Sequence, residues 1–157
     1  VGMVNAGHRL HVARRTVTRT SNAFEDHESL GAEDFDRRER DGAFALSWRA
    51  HDLAYGIPKA ELNMPDTLVL ASVSRTVIET GRALFPGSKF VLITAPREIL
   101  TARIAARGRE TIVDSRLARI PLDETLAESA DLRIDNIGSP DEGAKHLADF
   151  VSNYLPD

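Results

Sequence analysis

TLVLASVSRTVIETGRALFPGSKFVLIT, residues 67–94, is the stretch on which the fold class turns. It opens on a continuous apolar run, 67–73, of the kind buried on both faces of a parallel sheet. A helical pattern follows, RTVIETGRALF at 75–85, and Pro86-Gly87 stops it. KFVLIT, 89–94, is then a second apolar run of strand length. Strand, helix, strand in this order is the unit from which a parallel α/β sheet flanked by helices is built. Such sheets gather ligands at the carboxyl ends of their strands.

The flanking sequence extends the pattern. Pro96 opens a helix, REILTARIAARG, and DLRID at 131–135 is a weaker third strand. Ser139-Pro140-Asp141-Glu142 has the residues of a capping box, and Ala144, Leu147, Phe150, Val151 and Leu155 fall on one face of the helix it starts. Upstream, EDFDRRERD at 33–41 is a short charged helix ended by Gly42. AFALSW at 43–48 and LAYGIP at 53–58 form a small strand pair inserted beside the sheet, with His51-Asp52 at its turn. No repeat or long linker interrupts the chain, so residues 1–157 are expected to form a single domain.

Composition limits the possible functions. The chain has 157 residues, 42% hydrophobic and 28% charged, enough for a core of its own. It has no cysteine, which excludes disulfides and cysteine-ligated zinc and fits a reducing, cytoplasmic compartment. Its apolar runs are too short to cross a bilayer, and VGMVNAGHRLHV lacks the apolar core of a secretory signal, so no membrane partner is expected. A net charge of -4 argues against coating nucleic acid by bulk charge. Nothing in the sequence indicates an oligomeric state.

The cations are lopsided: 17 of the 20 basic residues are arginine, whose planar fork suits phosphate. A GC-rich genome gives the same bias, so placement has to decide. Between 97 and 119 there are six arginines against three acids. Arg103 and Arg107 project from one helix face, and Arg109 and Arg116 follow in RGRETIVDSR, 107–116. A second group, Arg14, Arg15 and Arg19, lies among threonines in an extended stretch. Ser74-Arg75 sits at the carboxyl end of the 67–73 strand, and Tyr55-Gly56 offers a hydroxyl beside a flexible backbone. His8 and His11 lack a third ligand, and Ser47, His51 and Asp52 are too close in sequence to make a triad, so neither a metal site nor a hydrolase site is expected.

The order Thr18-Arg19, Glu25, Phe35, Phe44, Trp48, Tyr55-Gly56, Arg103-Ile104, Arg107-Gly108 and Arg116-Leu117 resembles the guanylate kinase group of nucleoside monophosphate kinases. Within it the chain is more similar to the ribose 1,5-bisphosphate phosphokinases of phosphonate breakdown, through VTR at 17–19, EDH at 25–27, ALSW at 45–48, Ser74-Arg75 and RGRE at 107–110. The resemblance runs from about residue 12 to the C-terminus. It implies ATP-dependent phosphorylation of ribose 1,5-bisphosphate to 5-phosphoribosyl 1-diphosphate, with Mg²⁺ carried on ATP. By the same resemblance, 12–63 is the acceptor-binding region and 97–119 an arginine-rich lid. Arg19, His27, Tyr55, Ser74 and Arg75 are then expected to bind the phosphorylated sugar, Arg103, Arg107, Arg109 and Arg116 to act catalytically from the lid, and Asn136 to border the adenine.

Three departures qualify the match. Asn22 stands where guanylate kinases have a second arginine, His27 where they have a clamp tyrosine, and Ser47 where a glutamate reads guanine. Loss of that carboxylate leaves guanine N–H donors unmatched, which disfavours a guanine substrate. The phosphate-loop motif GxxxxGK[ST] is missing from the chain, so a fragment whose intact form carries that loop is expected. Guanylate kinase activity and a non-catalytic module binding phosphorylated ligands are the alternative functions.

Overall fold

The computed structural model of the chain describes residues 9–20, 26–96, 98–99 and 126–156. They fall into two compact units, Val1–Gly87 with Tyr154–Asp157, and Ser88–Asn153.

The first unit contains strands β1 (Leu10–Val12), β2 (Arg15–Val17) and β3 (His27–Ser29), helix α1 (Ala32–Arg40), strands β4 (Phe44–Ala50) and β5 (Leu53–Pro58), a helical turn α2 (Lys59–Leu62), strand β6 (Leu68–Leu70), a 3₁₀ turn (Arg75–Val77) and helix α3 (Ile78–Leu84). Strand β1 pairs in parallel with β6. The other four strands form a mixed sheet ordered β3-β2-β5-β4. Its centre is the β4–β5 hairpin, closed by His51 and Asp52 with φ of 53° and 61°, the two positive values that a two-residue hairpin turn needs.

Helix α1 ends as its sequence implied. Gly42, at φ 69°, follows the last turn, and the amides of Gly42 and Ala43 return to the carbonyls of Glu39 and Arg38, both at 3.0 Å. The single helix expected over 75–85 begins instead as the 3₁₀ turn, capped by Ser74, and becomes α-helical only from Ile78. Strand β6 is also shorter than expected, and its three residues are half-buried rather than enclosed on both faces.

The sheet has two packed sides because successive side chains alternate. Ala54 belongs to a cluster with Phe35 and Phe44, which brings α1 onto one face. Ile57 belongs to the larger cluster on the other face, with Ala13, Leu46, Trp48 and Val77, against which Tyr55 and Val69 pack. Phe44 also covers Gly56: a Cβ added there would lie 2.6 Å from the Phe44 ring. Phe44 cannot easily retreat, since its ring stacks on Phe35 at 4.6 Å. Gly56 is therefore a packing position, not the flexible backbone the sequence suggested.

Glu61 on α2 ties the β1–β2 connection down. Its Oε2 accepts a hydrogen bond from the Arg14 amide at 2.8 Å and lies 2.7 Å from His11 Nε2. The amide of Arg14, supported by His11, holds the Glu61 carboxyl below the ordinary carboxylate range.

In the second unit β7 (Val91–Thr94) and β8 (Leu132–Asp135) pair in parallel, and α4 (Pro140–Ser152) follows. The expected capping box is formed: Ser139 Oγ accepts from the Glu142 amide at 3.3 Å, and the Ser139 amide donates to Glu142 Oε2 at 3.0 Å. Leu92, Ile134 and Val151 are buried, but Ile93 is 51% exposed, so β7 is not enclosed on both faces. Gly143 approaches Ile134, while Ala144, expected on the packed face, is exposed. Among the described residues no helix is long and apolar enough to cross a membrane.

Two expected outcomes test this packing. Gly56→Ala lowers the urea midpoint of unfolding by the equivalent of about 1–3 kcal/mol, because the new methyl collides with a wedged aromatic ring; an unchanged midpoint contradicts the packing. Glu61 has a lowered folded pKa, so its contribution is present at neutral pH and is lost as pH falls through the carboxylate range. Glu61→Gln therefore destabilises the chain at pH 7 and converges on the unaltered protein near pH 3, as read from thermal unfolding across that range.

Candidate functional site

The β4–β5 hairpin sets a platform on the face opposite α1. Trp48 and Tyr55 are direct cross-strand partners, and their rings stack at 5.4 Å with an interplanar angle of 1°. Strand β2 runs antiparallel to β5 with Val17 opposite Tyr55, which puts Arg15 diagonally across on the same face. The Arg15 guanidinium carbon lies over the Tyr55 ring, 5.8 Å from its centroid. Arg15, Tyr55 and Trp48 thus form one ladder.

Arg19 lies four residues beyond Arg15, just past the end of β2, and its backbone is fixed on both sides. The preceding Thr18 donates its amide to the Ala54 carbonyl at 3.1 Å and accepts the Ala54 amide on Oγ1 at 2.8 Å. His27, on β3, donates from Nε2 to the Arg19 carbonyl at 3.2 Å. His27 is only 1% exposed, so its ring holds the Arg19 backbone and presents no surface to solvent. The two arginines sense each other: burial weakens Arg15's hold on its proton, Tyr55 partly restores it, and the cation of Arg19 weakens it further.

The 3₁₀ turn brings the third segment to this face, because its Val77 packs in the cluster containing Leu46, Trp48 and Ile57. Ser74 Oγ accepts from the Thr76 amide at 3.4 Å and from the Thr76 hydroxyl at 3.0 Å. Ser74 thereby shapes the turn that carries Arg75. Arg15 and Tyr55 thus share one side of the sheet, and the turn that carries Arg75 packs there through Val77.

Other arginines are committed to structure. Arg14 Nε donates to Asp26 at 2.9 Å, and its Nη2 to the His27 carbonyl at 3.3 Å. Arg38 donates to both oxygens of Glu28, which also accepts the Thr16 hydroxyl at 2.7 Å. Arg49 bridges Asp36 and Glu39 and lies over the Phe35 ring at 5.1 Å. Ser47 points to this same side, hydrogen-bonded to Glu39.

Arg103, Arg107, Arg109 and Arg116, expected to act from a lid, lie outside the described residues. Asn136, in the second unit, directly follows β8, and its amide continues the strand pairing by donating to the Thr94 carbonyl at 2.7 Å. Among the described residues no three His, Asp or Glu side chains gather in a way that could hold a metal ion. Arg15 was grouped by sequence with the phosphate donors but not assigned to the site. The signal was the alternation R-T-V at 15–17, which in an extended strand sends Arg15 and Val17 to one side.

No family model matches the chain. A solved guanylate kinase from Anaplasma phagocytophilum superposes with a TM-score of 0.66 at 18% identity, covering 92% of this chain and 76% of its own. The fold is therefore guanylate kinase-like, an α/β fold of the nucleoside monophosphate kinase type. Among curated proteins, the ribose 1,5-bisphosphate phosphokinase PhnN of Rhodopseudomonas palustris is 40% identical over 149 residues, 92% of this chain and 74% of that protein. The PhnN of Rhizobium etli is 39% identical over 153 residues, 93% of this chain and 76% of that protein. Identity of this depth, running through both compact units and over a guanylate kinase-like fold, places the chain in the ribose 1,5-bisphosphate phosphokinase PhnN family.

Proposed function

We propose that this chain is a cytoplasmic phosphotransferase that moves the terminal phosphoryl group of ATP onto ribose 1,5-bisphosphate, giving 5-phosphoribosyl 1-diphosphate and ADP. The observation that carries the proposal is its 40% identity over 92% of its length to a protein of that name. The stacked Arg15 and Tyr55, with Arg75 carried on the neighbouring 3₁₀ turn, support it with cations and a hydroxyl suited to an anionic sugar.

Residues 12–63 are read as the acceptor-binding region and 97–119 as the lid. The acceptor oxygen belongs to a phosphate that is already ionised near neutral pH, so the chain needs no general base. Its task is to hold that phosphate in line and neutralise charge. Arg19 and Arg75 bind the acceptor phosphate through their forked donors, and the Tyr55 hydroxyl donates beside them. His27 and Ser74 act one step back, His27 by fixing the Arg19 carbonyl and Ser74 by shaping the Arg75 turn. ATP, with its Mg²⁺, supplies the phosphoryl group. The four arginines at 103, 107, 109 and 116 are a donor set chemically matched to a polyphosphate, and they are assigned to its side of the reaction. Asn136 is assigned to the adenine edge.

A guanine acceptor finds less support. Ser47 replaces the carboxylate that would accept guanine N–H groups, and it is turned to Glu39 on the opposite side of the sheet from Tyr55.

The test uses the chain's single tryptophan, Trp48, which stacks on Tyr55 and so reports on the site. Ribose 1,5-bisphosphate is expected to change its fluorescence at lower concentration than GMP, and ADP release from ATP is expected with the sugar and not the nucleotide when the assay uses the intact form that carries the phosphate loop. A preference for GMP in both measurements overturns the proposal. Arg19→Ala and Arg75→Ala each weaken sugar binding by about tenfold to a hundredfold, the loss of one charge-assisted contact.

A further inference from the structure

Strand β2 runs between β3 and β5, and its two flanks end differently. Toward β3 the Leu30 amide donates to the Val17 carbonyl at 3.1 Å. Toward β5 the register pairs Thr16 with Gly56 and Val17 with Tyr55, so the next pair in line is Thr18 with Ala54. In a regular antiparallel ladder such a pair exchanges two bonds, each amide donating to the other residue's carbonyl. Here only one of the two is of that kind. The Thr18 amide donates to the Ala54 carbonyl at 3.1 Å, but the Ala54 amide donates to the Thr18 hydroxyl, at 2.8 Å.

The hydroxyl thus stands in for the carbonyl of its own residue. The consequence is geometric. A chain that kept this carbonyl in the ladder would run on along β5. With the amide satisfied by Oγ1, the backbone bends at Thr18-Arg19 and still leaves no donor of Ala54, a residue only 7% exposed, without an acceptor. Past the bend, the His27 ring donates to the Arg19 carbonyl at 3.2 Å from the β3 side. A hydroxyl on one flank and an imidazole on the other fix the exit of β2, and Arg19 is the residue they hold.

We propose that Thr18 is a positioning residue for the phosphorylated acceptor: its hydroxyl sets where the chain leaves the sheet, and so the point from which Arg19 reaches the ligand. The same bond holds Ala54, the neighbour of Tyr55, so one side chain fixes the backbone beside two groups assigned to the acceptor. This inference rests on the function proposed above and adds to it a residue that acts through others.

The experiment titrates the full chain with ribose 1,5-bisphosphate, followed by Trp48 fluorescence. Thr18→Val keeps the shape of the side chain but removes the acceptor oxygen, and it is expected to weaken binding by about tenfold. Thr18→Ser, which restores the hydroxyl, stays within about threefold of the unaltered chain. Thr18→Ala takes the place of the valine variant should circular dichroism show that one to be unfolded. A double-variant cycle decides between positioning and a general loosening of the fold. With Arg19→Ala already in place, Thr18→Val has no further effect, because the side chain it positions is gone. Full additional weakening in that background, serine no better than valine, or binding left intact without the hydroxyl overturns the Thr18 assignment alone. Failure of the unaltered chain to bind the bisphosphate overturns the reading of function and this assignment with it.

Discussion

The alternation of β5 is the constraint from which the rest of the first unit follows. Ala54 and Gly56 lie beneath Phe44 and Phe35, and Tyr55 and Ile57 face the opposite cluster. A slip of one residue would drive Tyr55 under α1 and expose the surface that Phe44 now covers, so both faces enforce a single register. The irregularity between Phe44 and Leu46 takes up the mismatch on β4 and leaves Trp48 directly opposite Tyr55. The ring platform of the candidate site is thus fixed by hydrophobic packing on the side of the sheet away from it.

Charge is partitioned across the same sheet. On the α1 side, Arg38 joins Glu28 and Arg49 joins Asp36 and Glu39. Each exposed pair is worth little by itself, but the shared partners link α1, β3 and β4 into one network. On the Tyr55 side the Arg15 guanidinium lies over the Tyr55 ring. Arginine richness therefore serves two purposes in this chain. On the α1 face carboxylates within the fold satisfy it, and on the other face Arg15 stacks on an aromatic ring.

What the sequence made legible is what local rules govern. The turn at His51-Asp52, the stop at Gly42 and the cap at Ser139 each follow from residues within a few positions of one another. Strands β1, β2 and β3 were not legible, because three-residue strands rich in arginine, threonine and histidine carry no apolar period. Gly56 was misread for a related reason. A glycine in a strand signals either freedom or a close neighbour, and only the approach of Phe44 from β4 distinguishes them. The residue types of the site were visible, but their division of labour was not. That His27 is buried against the Arg19 carbonyl, and that Arg14 rather than Arg15 is taken up by Asp26, depends on pairing between β2 and β3.

The same pairing explains how flexible side chains can form a selective site. An arginine on an open surface loses substantial rotamer freedom when it binds an anion, and that loss offsets much of the contact energy. Here the loss is incurred largely on folding. Tyr55 is held by Trp48, Arg15 lies on Tyr55, and His27 and Thr18 fix the backbone from which Arg19 extends. Much of the ordering thus belongs to the free state, and under the proposed function an anionic sugar meets side chains whose freedom is already reduced.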